Sequence, residues 1–143
     1  MGAVLALDIG QKRTGLAISD ESQIFAFPME TIPSHSLLLE IKRLSTERSL
    51  ESLVVGMPKN LKNEDTDNTA RVNRTIKQLK TAFPNLKIFA VDERFTSKMA
   101  QQALIMGGMK KMERQVKENT DKVSATLILQ SYLEQKEFQK PLF

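Results

Sequence analysis

The chain has 143 residues, of which 41% are hydrophobic and 27% are charged, and this balance predicts one folded globular domain rather than a disordered chain. It contains no cysteine, which excludes disulfides, thiol catalysis and cysteine-based zinc sites. The net charge is +4 at pH 7, a modest basic excess that suits a phosphate-bearing partner.

The opening part of the chain predicts an antiparallel β meander. Short apolar runs at residues 3–8, 14–19 and 23–29 are typical of strands, and turn-prone stretches at 10–13 and 20–22 separate them. Connections this short join antiparallel neighbours, because parallel strands need a longer crossover.

The middle of the chain alternates predicted helices and strands. Apolar positions at helical spacing predict a helix over residues 34–49, capped by a serine, and a second helix over residues 67–83. Continuous apolar runs predict buried strands at 52–56 and 87–91. The polar stretch 59–69 shows no hydrophobic periodicity and therefore predicts a surface loop.

The C-terminal part is predicted to be helical around a mobile loop. Thr96 can cap a third helix, which Gly107 and Gly108 end. The basic, methionine-containing segment 109–120 has too few apolar residues to hold a fixed place in a core, which predicts a mobile loop. A last helix is expected over residues 121–136.

The order of these elements predicts the fold class. Three antiparallel strands followed by strand-helix-strand crossovers imply an α/β protein with a five-stranded mixed sheet that is flanked by helices. No linker or internal repeat divides the chain. We therefore expect a single domain over residues 1–138 and a short tail over residues 139–143.

Acidic residues stand at positions where a scaffold can present them. Asp8 ends the first predicted strand, Asp92 and Glu93 end the fifth, and Asp121 opens the last predicted helix. Divalent cations that support phosphodiester hydrolysis need several carboxylate oxygens from rigid elements. Because successive side chains of a strand point to opposite faces, Asp92 and Glu93 cannot both reach one metal ion.

Two of these acids also have purely structural interpretations. A carboxylate in the first turn of a helix interacts favourably with the helix dipole in any protein, which accounts for Asp121 equally well. An acid at the end of a strand often belongs to a turn, which accounts for Asp8. The acids taken one by one therefore leave the choice between a metal site and ordinary structural roles open.

Four motifs follow one another along most of the chain: DIGQKRTGLAISD at residues 8–20, VGMP at 55–58, VDERFTS at 91–97 and DKVSATLILQSYL at 121–133. Together they resemble the YqgF/RuvX family of ribonuclease H-like proteins. DIGQKRTGLAISD at residues 8–20 is similar to the family's opening strand, glycine turn and second strand, and VGMP at 55–58 is similar to its Val-Gly-x-Pro strand end. VDERFTS at 91–97 resembles its Asp-Glu-Arg-x-Thr box, and DKVSATLILQSYL at 121–133 resembles its C-terminal helix. The sequence departs from the family in the loop after Pro58 and at Ser124.

The resemblance implies a ribonuclease H-like fold shared with Holliday-junction resolvases, and a role in maturing the 5′ end of pre-16S ribosomal RNA. Carried over by motif, the catalytic and metal-binding acids are Asp8, Glu93 and Asp121, with Asp92 as the alternative second acid. The implied cofactor is Mg²⁺ or Mn²⁺.

Basic residues accompany the acids and predict contacts to nucleic acid. A lysine taken alone is equally compatible with ordinary surface charge, whereas the motif positions of Arg13 and Arg94 favour the contact. His35 is the only histidine and lies far in sequence from every motif, so we expect it on the surface rather than as a general base. Metal-activated water is then the remaining nucleophile. The predicted nucleic-acid-binding residues are Lys12, Arg13, Arg94, Lys110, Lys111, Arg114 and Lys122.

Two functional hypotheses follow. The first is a metal-dependent nuclease acting on pre-ribosomal RNA or branched DNA, and the alternative is a nucleic-acid-binding factor in ribosome maturation that does not cut. The chain opens without a basic region before its short apolar run, and no apolar stretch has the length of a membrane span, so we expect a cytoplasmic protein without a membrane partner. The sequence leaves monomer and homodimer open.

Overall fold

The structure is a computed structural model that describes residues 2–58, 67–92 and 116–136; for residue 67 and residues 116–123 it describes the backbone alone. The strands and helices alternate in the way that the hydrophobic pattern predicts, with two small additions after the second hairpin. In chain order the elements are β1 Ala3–Ile9, β2 Arg13–Ser19, β3 Ala26–Pro28, β4 Ile32–Pro33, a 3-10 turn Ser34–Ser36, α1 Leu37–Glu47, β5 Leu50–Met57, α2 Asp67–Ala82, β6 Lys87–Asp92 and α3 Val116–Gln135.

The predicted mixed sheet is confirmed. Its strand order is β3-β2-β1-β5-β6, with β4 paired to β2 beside β3. The pairs β1–β2 and β2–β3 are antiparallel, whereas β1–β5 and β5–β6 are parallel. The sheet therefore has one more strand than the five expected, because the two residues of β4 are too few to give a periodic pattern.

The sheet divides the core into two layers. Leu5 and Leu7 of β1 lie in the larger layer, together with buried side chains of α1 and α2. Val4 and Ala6 lie in the smaller layer, together with buried side chains of α3. We call these two sides the α1–α2 face and the α3 face. Because side chains alternate along a strand, the register of β1 decides which residues reach each face.

One strand boundary, one helix boundary and one helix cap were predicted wrongly. The third strand is shorter than residues 23–29, because Asp20 and Gln23 form a turn that takes up the first part of the segment. The serine cap expected for the first helix is absent: the α-helical N-cap is Ser36, and its side chain makes no capping bond. The last helix begins at Val116 rather than Asp121, so residues 116–120 are helical and not part of a loop. Lys and Glu favour helix even where few apolar residues are present.

Several predictions fall outside the described residues. They are the loop over residues 59–66, the third helix that Thr96 would cap, the segment 109–115, and the tail over residues 139–143. The predicted loop over 59–69 is wrong only at its end, because α2 already includes residues 67–69. Thr69 is buried and its hydroxyl donates a hydrogen bond to the carbonyl of Pro58, which ties the start of α2 to the end of β5.

The turn between β2 and β3 is fixed by side chains. The carboxylate of Asp20 accepts hydrogen bonds from the backbone N–H groups of Phe25 and Ile24, at 2.9 and 2.8 Å. These bonds hold the pKa of Asp20 below its ordinary value. Gln23 has a positive φ of 59°, and its amide donates to the carbonyl of Gly2 at 2.8 Å. The turn between β2 and β3 is therefore held by internal hydrogen bonds.

Within the described parts of the chain, no helix is both long enough and apolar enough to cross a lipid bilayer.

Candidate active site

Asp8 lies near the carboxyl end of β1, the strand in the middle of the sheet. It continues the series of Val4 and Ala6, and therefore belongs to the α3 face. Its side chain is half-buried, whereas the apolar residues before it in β1 are buried. The apolar stripe on this face of the strand thus ends in a carboxylate that solvent reaches.

The strand positions beside Asp8 carry no side chains. Its antiparallel partner in β2 is Gly15. On the other side, Leu7 is paired with Val55 of β5, and Gly56 follows Val55 in the strand. Because glycine has no side chain, neither neighbouring strand covers the carboxylate of Asp8.

Asp92 lies on the opposite face. It is the last residue of β6 and is paired with Met57, which packs against the core layer of the α1–α2 face. Val91, one residue earlier, belongs to the core of the α3 face. The alternation of β6 therefore separates Asp92 from Asp8 by the thickness of the sheet. Glu93 lies outside the described residues.

Asp121 lies inside α3 rather than at its start. The helix begins at Val116, so Asp121 is in its second turn, and the helix-dipole interpretation of this acid loses its basis. Asp121 precedes Ala125 by one turn, and Ala125 is buried against the sheet in the core of the α3 face. The helix that carries Asp121 thus packs on the same face of the sheet as Asp8. The structure describes only the backbone at Asp121.

The turn between β1 and β2 is built around a glycine. The N–H of Gly10 donates to the carbonyl of Arg13 at 2.9 Å. A Cβ at Gly10 would lie 2.6 Å from that same carbonyl oxygen, closer than real Cβ atoms approach. Only glycine fits this position. The turn presents Lys12 and Arg13 as exposed residues close to the end of β1.

Ser34 holds this turn in place from outside. Its hydroxyl donates to the carbonyl of Gly10 at 2.7 Å and lies 2.9 Å from the hydroxyl of the buried Thr14. Its backbone N–H donates to the carbonyl of Lys12 at 2.9 Å. Ser34 precedes α1, and the structure uses its hydroxyl to fix the basic turn rather than to cap a helix. Local sequence carries no signal for this contact, because its partners lie on other elements.

The remaining predicted cations cannot be placed around Asp8. Arg94, Lys110, Lys111 and Arg114 lie outside the described residues, and Lys122 is described by its backbone alone. Lys12 and Arg13 are the two predicted nucleic-acid contacts whose side chains the structure describes. Lys12 lies in the turn after β1, and Arg13 is the first residue of β2. The structure thus brings a carboxylate and two cations to the end of the sheet where β1 and β2 are joined.

The donor chemistry at this edge fits a divalent cation. The carboxylate of Asp8, which solvent reaches, supplies hard oxygen ligands of the kind that Mg²⁺ and Mn²⁺ prefer. One such carboxylate does not make a complete site. Among the described side chains, no three His, Asp or Glu residues converge on a point that could hold a metal ion.

The sequence matches a family model described as "RuvX: Holliday junction resolvase" over residues 2–135. A protein named "Putative pre-16S rRNA nuclease" from Phocaeicola vulgatus is 43% identical over 138 residues, which cover 96% of this chain and 99% of that protein. A protein of the same name from Flavobacterium psychrophilum is 43% identical over 136 residues, which cover 95% of this chain and 99% of that one.

Solved structures show the same fold. RuvC of T. thermophilus, solved in complex with a Holliday junction substrate, superposes with a TM-score of 0.55 at 18% identity and covers 98% of this chain and 99% of that chain. Another structure of Thermus thermophilus RuvC gives a TM-score of 0.52 at 14% identity with the same coverage. The fold is ribonuclease H-like, as the motifs implied. The family match and the near-complete alignment with these relatives show that the chain belongs to the RuvX family.

Proposed function

We propose that this protein is a metal-dependent nuclease that hydrolyses a phosphodiester bond in the maturation of the 5′ end of pre-16S ribosomal RNA. The observation that carries the proposal is Asp8: a half-exposed carboxylate that ends the apolar stripe of the central strand on the α3 face. Family membership and the names of relatives more than 40% identical indicate the reaction, which is hydrolysis of a phosphodiester bond, and the substrate, which is pre-16S ribosomal RNA. Ribosomal RNA is made in the cytoplasm, which is where we place the reaction.

We assign the metal-binding and catalytic carboxylates to Asp8, Glu93 and Asp121. The position of Asp8 on β1 supports its assignment, and the packing of α3 on the same face supports the assignment of Asp121. The alternation of β6 puts Asp92 on the other face, and this favours Glu93 over Asp92 as the acid contributed after β6. When Mg²⁺ or Mn²⁺ is bound, it supplies an activated water and neutralises charge on the phosphate.

The basic turn contributes to positioning of the substrate. Lys12 and Arg13 extend from a turn that Ser34 and Gly10 fix at the end of β1, so their charges stay close to Asp8. Cations held near a carboxylate site draw phosphates towards it and offset the repulsion between acid and phosphate. Arg94, Lys110, Lys111, Arg114 and Lys122 join this group in the proposal on the strength of the sequence alone.

A second candidate reaction is the cleavage of Holliday junctions, which the description of the family model favours. Symmetric cuts in a four-way junction require two active sites, whereas a single cut in RNA requires one. A homodimer would therefore support junction cleavage, and a monomer would favour the RNA reaction. Size-exclusion chromatography with light scattering, run with and without junction DNA, distinguishes the two.

The test is cleavage of precursor 16S RNA and of a four-way DNA junction by highly purified protein, with Asp8→Asn and Asp92→Asn as matched variants. Asp8→Asn keeps the shape of the side chain and removes its charge, so we expect folding to survive and cleavage to fall more than about a hundredfold. Asp92→Asn removes the same charge from the other face and should cut at close to the wild-type rate. Equal cleavage by Asp8→Asn and wild type, with contaminating nuclease excluded by a mock preparation, would show that catalysis does not depend on Asp8. Absence of cleavage by the pure wild-type protein would favour the non-cutting alternative.

A further inference from the structure

A pocket of about 330 Å³ opens on the α1–α2 face beside the end of β1. Its walls come from three parts of the chain: the turn after β1 contributes Gln11, the 3-10 turn contributes His35, and α2 contributes Arg71, Thr75 and Gln78. The sequence predicts a surface position for His35, and the exposed side chain in the structure confirms it. In space, however, His35 lies beside the first motif, which its position in the sequence does not reveal.

The pocket combines an apolar floor with a polar and cationic rim. Ile9 and Leu37 are buried and form part of the floor. Arg71 adds a positive charge, Thr75 and Gln78 add hydrogen-bonding groups, and no acidic side chain is among the described lining residues. Unstacked nucleobases stack on imidazole rings and on guanidinium planes, and their edges bond to amides and hydroxyls. The mainly apolar lining with its polar and cationic rim therefore suits the flat face and polar edge of a nucleobase better than a cation.

The pocket and Asp8 lie on opposite faces of the sheet at the carboxyl end of β1. Ile9 lines the pocket, and it directly follows Asp8 in β1. Consecutive Cα atoms are about 3.8 Å apart, and their side chains point to opposite faces. A nucleic-acid strand that crosses the end of β1 can therefore place one phosphate at Asp8 and a nearby nucleotide in the pocket.

Hydrogen bonds fix the pocket wall relative to β1. The guanidinium of Arg71 donates to the side-chain oxygen of Asn68, and the side-chain amide of Asn68 lies 3.5 Å from the carbonyl of Ile9. On the opposite wall, the bond from Ser34 to Gly10 fixes the turn that carries Gln11. Groups held in place before binding lose less entropy when a ligand arrives. The described bonds thus prepare the pocket for a ligand.

We propose that this pocket binds one nucleotide of a single-stranded nucleic acid next to the phosphate that is cut at Asp8, and the proposal rests on the nuclease function proposed above. The volume lies near the lower end of the range of about 300–1,000 Å³ that is usual for small-ligand sites, which fits one nucleotide. A stacked duplex cannot insert a base into a concave pocket, whereas a single strand can turn a base outwards.

Binding measurements on an Asp8→Asn background test the proposal without loss of the probe by cleavage. The probe is a short fluorescein-labelled single-stranded RNA, compared with single-stranded DNA and an RNA duplex of the same sequence, and fluorescence anisotropy gives the affinities. The pocket variants are His35→Ala and Arg71→Ala. The matched control is Arg74→Ala, which removes the same charge from an exposed position on the same helix outside the lining. Circular dichroism verifies the fold of each variant.

We expect each pocket variant to bind the single strand about tenfold more weakly, in keeping with the loss of one stacked base. Arg74→Ala should change the affinity less than about twofold. The dependence of affinity on salt should weaken by about one unit of slope in Arg71→Ala, because this variant removes a guanidinium cation. Comparison of RNA with DNA then shows whether a 2′-hydroxyl is recognised.

Three outcomes overturn the proposal: wild-type affinity in both folded pocket variants, an equal loss in Arg74→Ala, or an equal loss for the duplex. The second outcome would mean diffuse charge attraction, and the third would mean contacts outside a base pocket. Loss of single-strand binding in the pocket variants supports the pocket even where purified wild-type protein cuts no substrate. Failure of the nuclease function is thus separable from failure of the pocket.

Discussion

The two faces of β1 show how one strand serves both the core and the proposed active site. On the α1–α2 face, Leu5, Leu7 and Ile9 are buried to the very end of the strand. On the α3 face, the buried series Val4 and Ala6 stops one position earlier, and the half-buried Asp8 takes the next place. The two faces of β1 therefore differ only at the end of the strand, where one carries the buried Ile9 and the other the half-buried Asp8.

This contrast shows what holds an acidic side chain at a defined place. The residues before and after Asp8 anchor the strand through the opposite layer of the core. Packing on one face therefore fixes the backbone, and the other face can carry a charge at the end of the strand. If this interpretation is right, changes on the two faces should affect different properties of the protein.

The largest expected effect separates Asp92, the last residue of β6, from Glu93, which follows it. Glu93→Gln should lower cleavage more than about a hundredfold, because it removes a proposed metal ligand. Asp92→Asn should leave the rate within about threefold, because Asp92 lies on the α1–α2 face. The measurement is a single-turnover cleavage rate with saturating Mn²⁺. The reverse order of the two variants would show that Asp92, not Glu93, acts with Asp8.

The next effect is on stability. Leu7→Ala should lower the free energy of unfolding by about 2–5 kcal/mol, because it removes most of a fully buried side chain and leaves a cavity in the core. Asp8→Asn, one residue away, should change it by less than about 1 kcal/mol, because it is half-buried and nearly the same shape. Urea unfolding monitored by circular dichroism gives both values. A comparable loss in both variants would make Asp8 a structural residue.

A smaller effect is expected where the basic turn is tied down. Ser34→Ala should cost about 1–2 kcal/mol, because it removes the bond to Gly10 and leaves the buried hydroxyl of Thr14 without this partner. It should also raise KM more than it lowers kcat, since the turn positions cations for the substrate. Ser45→Ala is the matched control, because it removes one hydroxyl bond within α1, far from the turn. Identical kinetics in the two variants would contradict the positioning role of Ser34.

The smallest effect is the stabilisation of the protein by metal. Millimolar Mn²⁺ should raise the Tm by a few degrees, because an ion that binds only the folded state stabilises it by mass action, by about 1.4 kcal/mol at ten times Kd. The shift should persist in Asp92→Asn and disappear in Asp8→Asn. Differential scanning fluorimetry with a chelator control measures it. A shift of the same size in Asp8→Asn would place the ion elsewhere.

Features with a local signal in the sequence could be predicted well. Alternating and continuous apolar runs identified β1, β2, β5 and β6, and the connection lengths identified which pairs are antiparallel. The position of Asp8 at the end of a strand followed from the same pattern. The assignment of Glu93 and Asp121 came from the family resemblance, and these two residues remain a prediction.

Features that depend on contacts between distant elements could not be predicted. The hydroxyl of Ser34 bonds to residues 20 and 24 positions earlier, so the local sequence gives no indication of its role in the turn. His35 and Arg71 line one pocket although 36 positions separate them in the sequence. The early start of α3 was missed because polar residues form helices without an apolar stripe when the rest of the helix is anchored.

The central position of β1 has a consequence for synthesis of the protein on the ribosome. The chain emerges from its N-terminus, and β1 pairs at once with β2, but its other edge waits for β5, which begins only at Leu50. Until then, that edge offers unpaired backbone groups on which another strand can pair. The proposed acids belong to the first strand, the segment after β6 and the last helix. A nascent or truncated chain therefore cannot assemble them, and we expect nuclease activity to appear only when translation is almost complete.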